Sequence, residues 1–205
     1  MEEKPEWWAS PATIGLMGFG TTTMLAGFAN LPNGYAVDFG SGAGWTVLGM
    51  ALFFGGLAQL FAGFVALRKG NMFAGSAFVG YGAFWLAYVF MVTSGPSGIG
   101  GVLGAGGAAN LYGIAGFAFV WTLFTFAFLI NSMKHGWGIF GVFLLLTIAF
   151  ALLTAKFFTL GGGHTLSTSE NWAVGGEIFL TGFLAWYVAM ADLTNWNYGR
   201  KVLPV

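Results

Sequence analysis

The side chains able to do chemistry in this chain are few, and they sit inside apolar sequence. Thr22, Thr23 and Asn30 occur in one hydrophobic run, Gln59 in the next, and Trp85 in a third, between Tyr81 and Tyr88. At ~100° per residue, Gly15, Phe19, Thr22, Thr23, Ala26 and Asn30 share one side of a helix whose other side holds Ile14, Met17, Met24, Leu25 and Phe28. In the next run Gly55, Gly56, Gln59, Ala62, Gly63 and Ala66 share a face, opposite Met50, Phe54, Leu57, Phe61 and Phe64. Small residues let helix backbones approach, and polar side chains hydrogen-bond between helices. Taken as a set beside the stripe Tyr81, Trp85 and Tyr88, these inward hydroxyls and amides describe a narrow, sparsely polar pathway.

Covalent chemistry has no such support. No H-E-x-x-H or Walker A sequence occurs, and without cysteine there is no thiolate, disulfide or Cys-ligated metal. His135 and His164 fall in loops expected on opposite sides of a membrane, so they cannot share a metal. The chain is therefore not expected to be an enzyme, nor to need a metal or cofactor. The glycine-rich stretch 95–107 contains no G-x-G-x-x-G and follows no strand, and it is expected to be a flexible outer loop.

Composition fixes what positions these residues. With 57% hydrophobic and 7% charged residues among 205, and a mean hydropathy of +0.78, the chain reads as an integral membrane protein. Zero formal charge argues against a nucleic-acid partner. The first ten residues have more acids than bases and lack a cleavage pattern, so no signal peptide is expected. About 20 apolar residues cross a bilayer as a helix, and six windows qualify, near 12–30, 44–67, 72–93, 108–131, 137–160 and 172–195, in one transmembrane domain spanning 1–205. These runs are long and continuous, unlike the ~10-residue alternating segments of a β-barrel, so the fold class is all-α.

Lys and Arg are retained on the cytoplasmic side. Lys4 precedes the first window, Arg68 and Lys69 follow the second, Lys134 the fourth, and Arg200 and Lys201 the sixth. Both termini are expected to be cytoplasmic in the cell (plasma or inner) membrane, with Trp7, Trp8, Trp196 and Tyr198 as interfacial anchors.

The stretch SPATIGLMGFGTTTM, residues 10–24, resembles the N-P-A-P-L-G-L-x-G-F-G signature of the acetate uptake transporter family, also called succinate–acetate permeases. GGLAQLFAGF, KGNMFAGSAFVGYGAFW, FALL, YVAM and GRKVLP follow in the family's order. The resemblance spans nearly the whole chain. It departs in the signature itself, with Ser10 for Asn, Thr13 for the second Pro and Ile14 for Leu. What it implies is a six-helix subunit assembled as a hexamer, each subunit with its own pathway for acetate, similar small monocarboxylates and sometimes succinate. It further implies a hydrophobic constriction formed by Phe19, Tyr81 and Leu146.

A two-carbon carboxylate needs hydrogen-bond donors for its oxygens, which Thr22, Thr23, Asn30 and Gln59 can supply, and an apolar surface for its methyl group. The expected function is thus a permease or channel for acetate, without a choice between channel and proton symport. The alternatives are a channel for small neutral solutes such as ammonia or glycerol, and a structural membrane protein that transports nothing. One expectation belongs to this chain alone. An ionisable group inside a span costs ~2.5 kcal/mol or more at the centre. With helix 5 ending at Leu160 and helix 6 starting at Trp172, Lys156 and Glu177 would both lie ~6–8 Å below the outer boundary and form an ion pair. Lys156 would attract carboxylates there, an attraction a paired Glu177 would largely cancel.

Overall fold

The structure, a computed structural model, describes residues 9–32, 42–93 and 107–205. Six helices long and apolar enough to cross a membrane run through these residues, as the hydropathy windows predict, and the described residues contain no strand. Helix α1 spans Ala12–Ala29. Helix α2, 42–68, joins Gly42–Leu52, a π-helical turn Phe53–Ala58 and Gln59–Arg68. Helices α3 Met72–Thr93, α4 Gly107–Ser132, α5 Trp137–Gly161 and α6 Thr168–Tyr198 follow. Lys4, Trp7, Trp8 and most of the expected outer loop, 95–106, lie outside the described residues.

The faces predicted from spacing are largely the faces formed. All six small or polar positions of the α2 stripe, Gly55 through Ala66, are buried, while Phe61 and Phe64 are exposed. Helix α1 has Ile14 and Phe28 exposed, but it is buried over much of its circumference, because other helices surround it. Its tightest neighbour is α6. A Cβ on Gly20 would meet Trp186 N at 2.6 Å, one on Gly27 would meet Phe179 N at 2.6 Å, and one on Gly182 would collide with Met24 N. On its other side, Gly18 lies against the Phe54 carbonyl of the π turn, where a Cβ would come within 2.5 Å. In the absence of a hydrophobic drive between helices in lipid, close backbone packing of this kind is what holds them.

Helix α6 starts four residues earlier than the hydropathy window, because Ser167 and Glu170 form a capping box: Ser167 N–H donates to Glu170 Oε2 at 2.7 Å and Glu170 N–H to Ser167 Oγ at 3.3 Å. It ends at Gly199, in the left-handed region at φ 61°. The chain then turns back. Asn195 Oδ1 accepts from the backbone N–H groups of Val202 and Leu203, at 2.6 and 2.9 Å, and Tyr187 Oη donates to the Pro204 carbonyl at 2.9 Å.

Candidate functional site

Two cavities lie end to end in the bundle. The larger, about 280 Å³, is lined by the C-terminal halves of α1, α3 and α5, among them Thr23, Asn30, Trp85, Tyr88, Leu153 and Lys156. The smaller, about 180 Å³, is lined by the N-terminal halves of the same helices and by α2, including Leu16, Gln59, Phe73, Tyr81 and His135. Because α1, α3 and α5 run in one direction through an alternating bundle, the cavities belong to opposite ends of the molecule. Phe19 and Leu146 line both. Tyr81 completes the partition from the smaller cavity, its ring 5.5 Å from that of Phe19. All three residues are at most 4% exposed. Positions far apart in sequence are thus brought to one level, where apolar side chains separate two cavities.

The Tyr81 ring is held from several directions. Its hydroxyl shares a 2.9 Å hydrogen bond with Thr125 Oγ1, and the rings of Trp121, Phe124 and Phe143 pack around it. Thr125, wholly buried on α4, carries no local sequence signal for this role, since its partner is a whole hairpin away.

The expected polar lining is redistributed. Thr22 lines neither cavity. It is wholly buried against α2, filling the space above Gly55, where a Cβ would meet its Oγ1 at 2.8 Å, and its hydroxyl makes only a long 3.4 Å bond to the Met50 carbonyl. Adjacent residues on a helix point ~100° apart, and of Thr22 and Thr23 only the second is turned to a cavity. Thr23 does line the larger one, but its hydroxyl donates back to the Phe19 carbonyl at 2.7 Å, so that proton is engaged within the helix. Gln59 faces the smaller cavity, 1% exposed, with Oε1 unpartnered among the described residues. Trp85 lines the larger cavity, and its buried indole N–H likewise has no acceptor among them.

The expected Lys156–Glu177 ion pair is not formed. Lys156 Nζ donates instead to Asn30 Oδ1 at 2.9 Å. Glu177 Oε1 accepts from Thr181 Oγ1 at 3.0 Å, while its buried Oε2 is without a partner among the described residues. Helix register is the reason. A Cβ on Gly138 would touch Val188 and one on Gly141 would touch Leu184, and extending this antiparallel pairing sets Glu177 level with Ala149 rather than with Lys156. The longer α6 also moves the boundary outward, leaving Glu177 ~13 Å past Thr168. Asn30 reaches Lys156 because the end of α1 closes the larger cavity.

Other contacts had no forecast in the sequence. Thr13, which replaces a proline of the signature, donates to Asp192 Oδ2 at 2.7 Å and so links α1 to α6. His135 stacks on Phe73 with ring centroids 4.1 Å apart at the smaller cavity. His164 is exposed in the connection after α5, and no metal-capable cluster occurs among the described residues.

Six membrane-spanning helices around two cavities divided by an apolar partition define a multi-pass helical membrane protein. Residues 2–203 match the GPR1/FUN34/yaaH family, and the chain belongs to it. It is 35% identical to the succinate-acetate/proton symporter SatP of Escherichia coli K12, covering 96% of this chain and 95% of that one. It is 30% identical to acetate permease A of Emericella nidulans, over 96% of this chain and 65% of that protein. Among solved structures, that of the bacterial acetate channel SatP superposes with a TM-score of 0.80 at 35% identity, covering 97% of this chain and 99% of that one.

Proposed function

We propose that this protein conducts acetate and similar small monocarboxylates across a membrane, through a pathway within each subunit. The observation that carries the reading is the pair of end-to-end cavities that share Phe19 and Leu146 as walls. A permeating molecule enters one cavity, crosses the apolar partition and leaves by the other. The relatives named for succinate and acetate transport support the substrate class. At the partition the solute sheds water, which is expensive for an ionised carboxylate, so Phe19, Tyr81 and Leu146 form the constriction that limits size. Gln59 on one side and Asn30 and Trp85 on the other supply polar contacts where the solute waits.

The same proposal places both termini, with Arg68, Lys69, Lys134, Arg200 and Lys201, on the cytoplasmic side, and makes the smaller cavity the inner one. It also places the subunit in a hexamer. Gly49, Gly113, Gly116 and Gly176 lie within helices with open space where a Cβ would stand, which suits close approach by a neighbouring copy.

The test is radiolabelled acetate uptake into liposomes holding the purified protein, with and without an imposed proton gradient. Uptake above that of protein-free liposomes is expected, and a rate indistinguishable from them defeats the reading. A gradient dependence of the concentration reached separates symport from a channel.

A further inference from the structure

We propose that Lys156 holds the carboxylate of the permeating anion in the larger cavity, with the Trp85 indole N–H as a second donor, and thereby favours monocarboxylates over dicarboxylates. This rests on the reading of that cavity as part of an acetate pathway.

Among the described residues, Lys156 is the one cationic side chain lining the larger cavity, and none of them lines it with a carboxylate. Its ammonium has three N–H donors, of which one is given to Asn30 Oδ1 at 2.9 Å; the others have no acceptor among the described residues. Asn30 is itself anchored, its Nδ2 donating to the Ala26 carbonyl at 2.8 Å, so it holds Nζ in place without neutralising it. Glu177, the carboxylate that could have cancelled this charge, bonds to Thr181 and does not line the cavity. Trp85, 4% exposed, is on the wall of the same cavity with an unsatisfied N–H. A buried donor without an acceptor is a costly state that an incoming oxygen relieves.

The rest of the lining is chiefly apolar, with Phe84, Phe150, Leu153 and Ile178. One carboxylate can therefore be met by a charge and an N–H while its alkyl end rests on these side chains. The second carboxylate of a four-carbon diacid would lie against the same apolar wall, desolvated and without a cation. An ammonium is a compact point charge with rotatable donors, so the contact needs no fixed carboxylate orientation and does not trap the solute in one pose.

The experiment measures initial uptake of labelled acetate and labelled succinate, against concentration, by wild-type, Lys156→Met and Lys156→Arg protein in liposomes. The apparent KM of Lys156→Met for acetate is expected to rise about tenfold or more, equivalent to ~1.4 kcal/mol. The maximal rate should stay within about threefold, and the acetate-over-succinate ratio should fall. Lys156→Arg should restore both. An unchanged KM and ratio in Lys156→Met overturns the proposal, as does a loss confined to maximal rate and melting temperature, which would make Lys156 only a prop for Asn30. If Lys156→Met does not fold, Lys156→Gln carries the comparison under the same criteria. If wild-type protein shows no acetate flux, the pathway reading fails. Calorimetric titration of detergent-solubilised wild type and Lys156→Met with acetate then decides the site by itself, equal affinities overturning it.

Discussion

The ring of Phe19 lies 5.5 Å from that of Tyr81, tilted by 56°, and the Tyr81 hydroxyl is tethered to Thr125 on a different helix. One half of the partition is thus a phenylalanine held by packing alone, and the other a tyrosine fixed by ring packing and a hydrogen bond. Leu146, which shares the Phe19 position between the cavities, completes it from α5.

Replacing Phe19 or Leu146 by Ala should therefore join the two cavities. Uptake of acids larger than acetate, such as butyrate, should rise relative to acetate in both variants. Tyr81→Phe, which removes the hydroxyl but keeps the ring, should leave size selection unchanged and lower thermal stability by about 0.6 kcal/mol, the average for an interhelical hydrogen bond in membranes. Competition uptake of butyrate against acetate in liposomes checks all three variants. Parent-like selectivity in Phe19→Ala and Leu146→Ala would remove these residues from the constriction.

Gly182→Ala should destabilise the protein by about 1–3 kcal/mol, the range for overpacking a tight contact, because the new Cβ meets backbone atoms of Met24 and Gly20 that cannot swing away. Gly176→Ala, on the same helix but facing open space, should leave the isolated subunit as stable as before. Thermal unfolding in detergent distinguishes the two. Native mass measurement adds a second reading, since selective loss of the oligomer in Gly176→Ala locates a neighbouring subunit at that face.

Lys156→Met and Glu177→Gln should have additive effects on thermal stability, within about 0.5 kcal/mol, because the two side chains share no partner. Glu177→Gln alone should be neutral or stabilising, since it removes the charge of a carboxylate whose buried Oε2 has no donor among the described residues. A coupling above ~1 kcal/mol in the double-mutant cycle would mean that the two residues meet in the working protein.

Asn195→Ala should free the C-terminal residues from α6. Its side chain accepts from Val202 and Leu203 and donates to the Leu203 carbonyl at 2.8 Å, each bond worth about 1 kcal/mol net. Limited proteolysis should then cut at Arg200 or Lys201 faster than in the parent, and an unchanged cleavage rate would show that Tyr187 and Pro204 hold the tail by themselves.

Much of this architecture was legible in the residue pattern. Length and hydropathy determine six spans, because a backbone in lipid must satisfy its hydrogen bonds within a helix. The period of 3.6 determines which side of α2 is buried, because Gly55, Gly56, Gln59, Ala62, Gly63 and Ala66 recur at that spacing and only small residues permit close backbone approach. Ordered matches to a family signature carried Phe19, Tyr81 and Leu146 forward as a set.

What the sequence could not supply was register and the direction of single side chains. Spacing grouped Thr22 with Thr23, yet the ~100° between neighbours sends one toward Gly55 and the other into the larger cavity. Depth counted from hydropathy windows paired Lys156 with Glu177. The Ser167–Glu170 box lengthens α6, and the Gly138 and Gly141 contacts fix how α5 and α6 slide, so tertiary packing moved Glu177 deeper and left Asn30 beside Lys156. The sequence by itself determined which residues must leave water and which helix faces must meet, since both follow from local periodicity and solvation. Only the tertiary structure decided which polar atoms meet, because a shift of one helical turn, ~5.4 Å, exceeds the reach of a hydrogen bond and is set by close contacts between distant segments.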